Sequence, residues 1–116
     1  MALDVLIALI AAAHLWFLVL EMFLWTRPFG RKTFGMTEEQ AAATASLAQN
    51  QGLYNGFLAA GLVWSLFVPG PATKTFFLAC VAVAGLYGAY STGRRPILVL
   101  QFAPAAVALA WLWLAR

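Results

Sequence analysis

The sequence predicts an all-α protein, a four-helix transmembrane bundle with both termini on the non-cytoplasmic side. Three observations carry that prediction. The composition is 64% hydrophobic and only 9% charged, against about half apolar and about a quarter charged in an average soluble domain. Four apolar stretches are separated by short polar or Pro/Gly-rich joints, and the cations gather in alternate joints. In water such a chain has too few charges to cover its surface, whereas lipid removes the contradiction. At 116 residues there is room for a single domain, with helices over about 3–26, 38–68, 72–91 and 96–115. The net charge of +3 is too small and too divided to suggest nucleic acid as a partner.

The first stretch, residues 5–25, opens like the apolar core of a signal peptide and contains Ala11, Ala12 and Ala13. Its start carries Asp4 and no Lys or Arg, and the run continues to Trp25, so an uncleaved span is expected rather than a cleaved signal. The joint at 26–37 holds Arg27, Arg31 and Lys32 beside Pro28, read as a helix stop. The second stretch starts amphipathic near Glu38 and turns fully apolar over 52–68. Thr37 and Gln40 have capping-box spacing: the threonine accepts from the amide three residues on, and the glutamine reaches back. Pro69, Gly70 and Pro71 end that helix. The third stretch, about 75–90, breaks at Gly93-Arg94-Arg95-Pro96, and the fourth runs from Pro96, suited to a first helical position, to Ala115. About 20 residues are needed to cross the hydrocarbon. The first and fourth stretches reach that unaided, the second and third only with their polar flanks. No stretch alternates with period two, which excludes a transmembrane barrel.

Arg27, Arg31, Lys32, Arg94 and Arg95 fall in the first and third joints, and Lys74 and Arg116 on the other side. The positive-inside rule then places both chain ends outside the cytoplasm. Trp16, Trp25, Trp64, Trp111 and Trp113 fit aromatic belts at the two interfaces.

Polar groups inside the spans are few. An ionisable group at the centre of a membrane helix costs about 3 kcal/mol or more and is a functional hypothesis by default. His14 and Glu21 share a face of the first helix, within about 20° of each other and roughly 10 Å apart, stacked without a direct bond. Asn50, Gln51, Tyr54 and Asn55 cover an arc of about 140° on the second helix, continued by Gly61 and Ser65. Gly52 and Gly56 lie opposite as a small-xxx-small pair, followed by Ala59 and Ala60, for close helix approach. The third helix offers Tyr87, Tyr90 and Ser91, with Gly85 and Gly88 for packing; the fourth offers Gln101. Pro104 removes the bond normally made to the carbonyl of Leu100. Except for His14 near the midplane, these groups are expected in the cytoplasmic half, around a pocket open to the cytoplasm.

No metal or cofactor is expected. His14 has no second His or Cys at ligand spacing, and one histidine offers a haem only one axial ligand. Cys80 is the one cysteine, so no intrachain disulfide forms, and its apolar setting predicts a thiol packed between helices. Interhelical hydrogen bonding is as good an account of the Asn and Gln residues as ligand contact. For Glu21 a functional role leads.

The segment Asn50-Gln-Gly-Leu-Tyr-Asn-Gly-Phe57 resembles a family of small bacterial four-helix membrane proteins known only as a domain of unknown function. The likeness extends to the His-then-Glu first helix, Gly85-Leu-Tyr-Gly88, and Gln101 before Pro104. It implies a multi-pass protein of the bacterial cytoplasmic (inner) membrane and brings no activity.

Two functional classes fit. One is a membrane-embedded binding protein or enzyme for a small amphipathic molecule such as an isoprenoid, quinone or lipid. Glu21, with His14 on its face, would serve as acid or base; Asn50, Gln51, Asn55 and Gln101 would orient polar atoms; Tyr54 and Tyr87 would line the apolar wall. The other is a small proton-coupled transporter working as a homo-oligomer. Small multidrug-resistance exporters share its length, four helices and first-helix carboxylate, in layout alone. An accessory subunit binding partner helices is a third option. The eicosanoid and glutathione membrane enzymes carry an arginine on their second helix, which residues 38–68 lack. Beyond membrane lipids and an amphipathic ligand, no partner is named by any motif, and no motif names a reaction.

Overall fold

The computed structural model describes residues 1–115. Among them it has five α-helices, one π-helical turn and no strand. In chain order these are α1 (Ala2–Met22), α2 (Pro28–Phe34), α3 (Glu38–Ser65), α4 (Ala72–Thr92), the π turn Leu98–Phe102 and α5 (Ala103–Leu114). Two helices, α1 and α4, each of 21 residues, are long and apolar enough to cross a membrane, by length and composition. The 28-residue α3 is long enough but too polar for the same test, and Leu98–Leu114 is apolar but shorter. Arg116, counted above among the cations, lies outside the described residues. The chain divides into two compact units, Ala12–Ala59 and the remainder, Met1–Ala11 with Ala60 onward.

In the unit Ala12–Ala59, the expected first helix ends early, at Met22 rather than near residue 26, and the expected joint contains α2. The cause is local. Leu24 bonds back to the carbonyl of Val19, five residues away, which loosens the last turn of α1. Arg27, preceding a proline, is extended (φ −80°, ψ 158°). Pro28 then occupies the first turn of a new helix, where its missing N–H is no loss, so it starts a helix as well as stopping one. Gly35, at φ +66°, closes α2: its amide donates to Lys32 O, and that of Met36 to Arg31 O at 2.9 Å. Phe34 stacks on Trp25 with ring centroids 4.8 Å apart. The capping box forms as expected: Gln40 N donates to Thr37 Oγ1 (3.1 Å), and Thr37 N to Gln40 Oε1 (2.9 Å). Arg31 pairs with Glu38 at 3.0 Å across the α2–α3 joint. The indole of Trp25 donates to Thr44 Oγ1 (2.9 Å), fastening the end of α1 to α3.

In the other unit, α3 ends at Ser65, three residues before the expected 68. Leu66 and Phe67 bond three residues back, to Val63 and Trp64, tightening the chain ahead of Pro69. The Lys74 ammonium donates to the carbonyl of Ser65 (2.8 Å), meeting a helix end whose last carbonyls lack partners. Trp113 Nε1 donates to Thr75 Oγ1 (3.0 Å), joining α5 to α4. The fourth helix is interrupted. Pro104 has no amide, the N–H of Ala103 reaches five residues back to Leu98 O, and the backbone takes the wider π turn through Gln101. Gly85 faces that turn: a Cβ there would stand 2.7 Å from the Phe102 nitrogen. This is the close approach expected of Gly85, whereas Gly88 makes ordinary contact with Ile97. Cys80 is a half-buried free thiol on α4.

Candidate functional site

Within the unit Ala12–Ala59, the structure brings Glu21 and Asn55 together. Glu21 lies in the last turn of α1, where the face that buries Ile7, Ile10 or Ala11, and His14 continues at three- and four-residue steps to Leu18 and Glu21. Asn55 lies mid-α3 and is 5% exposed. Its Nδ2 donates to Glu21 Oε1 at 2.5 Å. The two helices meet through glycine: a Cβ on Gly52 would stand 2.5 Å from Met22 Cγ, 3.2 Å from Glu21 Cβ and 3.3 Å from Leu18 O. One on Gly56 would stand 2.8 Å from Leu18 Cδ1. The small-xxx-small pair therefore faces α1, and its missing side chains let Asn55 span the gap to the carboxylate.

That corrects one part of the sequence reading. The glycine face and the polar arc were expected on opposite sides of α3, but Asn55, the edge of the arc, stands only about 60° from Gly52 and shares its contact with α1. Asn50, Gln51 and Tyr54 turn the other way and are exposed. Tyr54 keeps an aromatic neighbour in Phe57, centroids 5.9 Å apart.

The carboxylate is half-buried, and its partner is a neutral amide instead of a cation. A hydrogen bond to a charged group contributes about 1.5–3 kcal/mol, and one amide N–H leaves most of a carboxylate's acceptor positions to other donors. Asn55 therefore uses only part of the acceptor capacity of the Glu21 carboxylate. His14, fully buried, sets its ring at 66° to Phe17 with centroids 5.1 Å apart. Among the described residues no group of three or more His, Cys, Asp and Glu side chains is placed to hold a metal ion.

Tyr87 and Gln101 belong to the other unit. Tyr87 is 68% exposed and 6.4 Å from the ring of Tyr90. Gln101 is half-buried within the π turn. The sequence reading named both members of the Glu21–Asn55 pair but not their bond; the four-residue glycine spacing around Asn55 was the available signal. The π turn was likewise announced only by Pro104.

The fold and site define a small all-helical protein with membrane-length apolar helices and one carboxylate held by an interhelical amide. The chain belongs to the family described as "Protein of unknown function (DUF1304)", whose profile matches residues 8–113. It is similar to "Uncharacterized protein YpaA" of Lactococcus lactis subsp. lactis (strain IL1403), 25% identical over 101 residues that cover 83% of this chain and 85% of that protein. No solved structure matches the chain.

Proposed function

We propose that this chain is a multi-pass protein of the bacterial cytoplasmic membrane, crossing it with α1, α3, α4 and the segment Leu98–Leu114. Its Glu21–Asn55 pair binds the polar end of a small amphipathic molecule, an isoprenoid, quinone or lipid. Many large apolar side chains stay exposed, Leu9, Phe23, Phe57, Trp64 and Val83 among them, and three polar ones, His14, Asn55 and Ser65, are buried. Only 28% of the most apolar stretch of α1 and 22% of that of α4 is buried, which suits helices facing lipid better than the core of a soluble domain.

The observation that carries the functional reading is the Asn55–Glu21 bond. A carboxylate on so apolar a helix is expensive to keep in lipid, and one neutral donor leaves it able to accept from a ligand. Glu21 takes or gives the proton where a reaction follows, with His14 on the same helix face. Asn50, Gln51 and Tyr54 lie on the exposed side of α3, turned away from the pair. The test is mass spectrometry of what leaves the membrane with the purified protein. One lipid-like species retained at fixed stoichiometry supports the reading; bulk lipid alone, with a water-accessible path through a dimer, favours a transporter.

The orientation has its own test. In a Cys80→Ser background, Thr33→Cys on α2 should resist an impermeant thiol reagent added outside intact cells, whereas Ala72→Cys at the start of α4 should label. The reverse pattern, or equal labelling, overturns the placement of both termini outside the cytoplasm.

A further inference from the structure

The short helix α2 has two unlike faces. Gly30 is buried against the chain that leaves α1: a Cβ there would stand 1.8 Å from Leu24 O. Phe34, on the same side, stacks on Trp25. On the outer side, Pro28, Phe29, Lys32 and Thr33 are exposed, so α2 is pinned by one face and presents the other. Phe29 is 56% exposed, and its ring meets that of Trp16, 47% exposed, at 6.2 Å. Arg27 and Lys32, both exposed, flank Phe29.

The charge on this segment is one-sided. Residues 23–37 contain Arg27, Arg31 and Lys32 and no Asp or Glu. Glu38, from the start of α3, pairs with Arg31, which leaves Arg27, just before α2, and Lys32, on it, as the exposed cations of the segment. Here two exposed aromatic rings, Phe29 and Trp16, stand beside two cations with no acid among them. This combination matches the boundary of an anionic membrane, where such rings enter the acyl edge and the cations reach the phosphates.

We propose that α2 is an interfacial helix that docks on anionic phospholipid headgroups, with Phe29 in the acyl boundary and Arg27 and Lys32 on the phosphates. The proposal rests on the membrane placement given above and is independent of any ligand at Glu21. It assigns α2 a recognition role: α2 selects the charge of the surrounding lipid and anchors the end of α1 at the interface.

The test uses the full chain in mild detergent, with equal amounts of phosphatidylglycerol and phosphatidylcholine added and the retained lipid counted by native mass spectrometry. The parent should prefer phosphatidylglycerol by about tenfold or more, the order expected of two cations at an anionic surface. Arg27→Gln/Lys32→Gln should bring the two lipids near parity, and Arg27→Lys/Lys32→Arg should keep the preference. Phe29→Ser should weaken retention of both lipids. One control separates this site from the other cationic joint: Arg94→Gln/Arg95→Gln should retain the preference. An undiminished preference in Arg27→Gln/Lys32→Gln overturns the proposal, and so does its abolition in that control.

Discussion

Replacing Gly30 with alanine should lower the thermal midpoint of the protein in detergent more than an added methyl at any other glycine. The new carbon would stand 1.8 Å from Leu24 O and 2.6 Å from Leu24 C, both backbone atoms. At Gly61 the nearest obstacle is the Phe77 ring, a side chain able to turn aside. At Gly30 either α2 moves off the chain leaving α1 or the end of α1 shifts. Overpacking of this kind costs about 1–3 kcal/mol, sometimes more, and Gly30→Ala belongs at the upper end because nothing rotatable absorbs it. Gly35→Asn is the control. Gly35 has φ +66° and open space around it, and asparagine tolerates that conformation, so the loss there should be well under 1 kcal/mol. Equal midpoints for parent and Gly30→Ala would show that α2 is not seated against Leu24.

The second large effect is at Asn55. Asn55→Leu removes the donor to Glu21 Oε1 and leaves a half-buried carboxylate facing an apolar side chain. Stripping one partner from a bond to a charged group costs about 3 kcal/mol, whereas replacing both partners by apolar groups is often nearly neutral. The double variant Glu21→Leu/Asn55→Leu should therefore recover most of the stability lost in the single one, read as resistance to unfolding in increasing SDS. Additive losses in the two single variants would mean the side chains do not interact. A stable double variant that retains no ligand would separate the stability role of the pair from its binding role.

Much of the architecture was legible because it depends on local chemistry. The apolar runs, the capping box at Thr37 and Gln40, and the stop at Pro69–Pro71 need only neighbours a few residues away. The helical character of residues 28–34 was missed because Pro28 was weighed as a stop, and its suitability for a first turn was not. The break in the last helix was half legible: Pro104 announced a missing bond, but not that the backbone would slip into a π turn. At the site, composition named Glu21 and Asn55 as polar groups out of place. Their pairing depends on which side of α3 meets α1, and there the glycines decided against a simple polar-versus-small division of the helix.

The most direct measurement compares the molecule retained by the purified parent with that retained by Glu21→Gln, in equal amounts of folded, membrane-inserted protein. Glutamine is nearly isosteric and can still accept from Asn55, so helix packing should survive while the ionisable acceptor is gone. The retained isoprenoid, quinone or other lipid-like species should fall to background in Glu21→Gln, with helix content and thermal midpoint close to the parent's. Equal occupancy in parent and variant would contradict the binding proposal, leaving Glu21 and Asn55 as a structural bond between two helices.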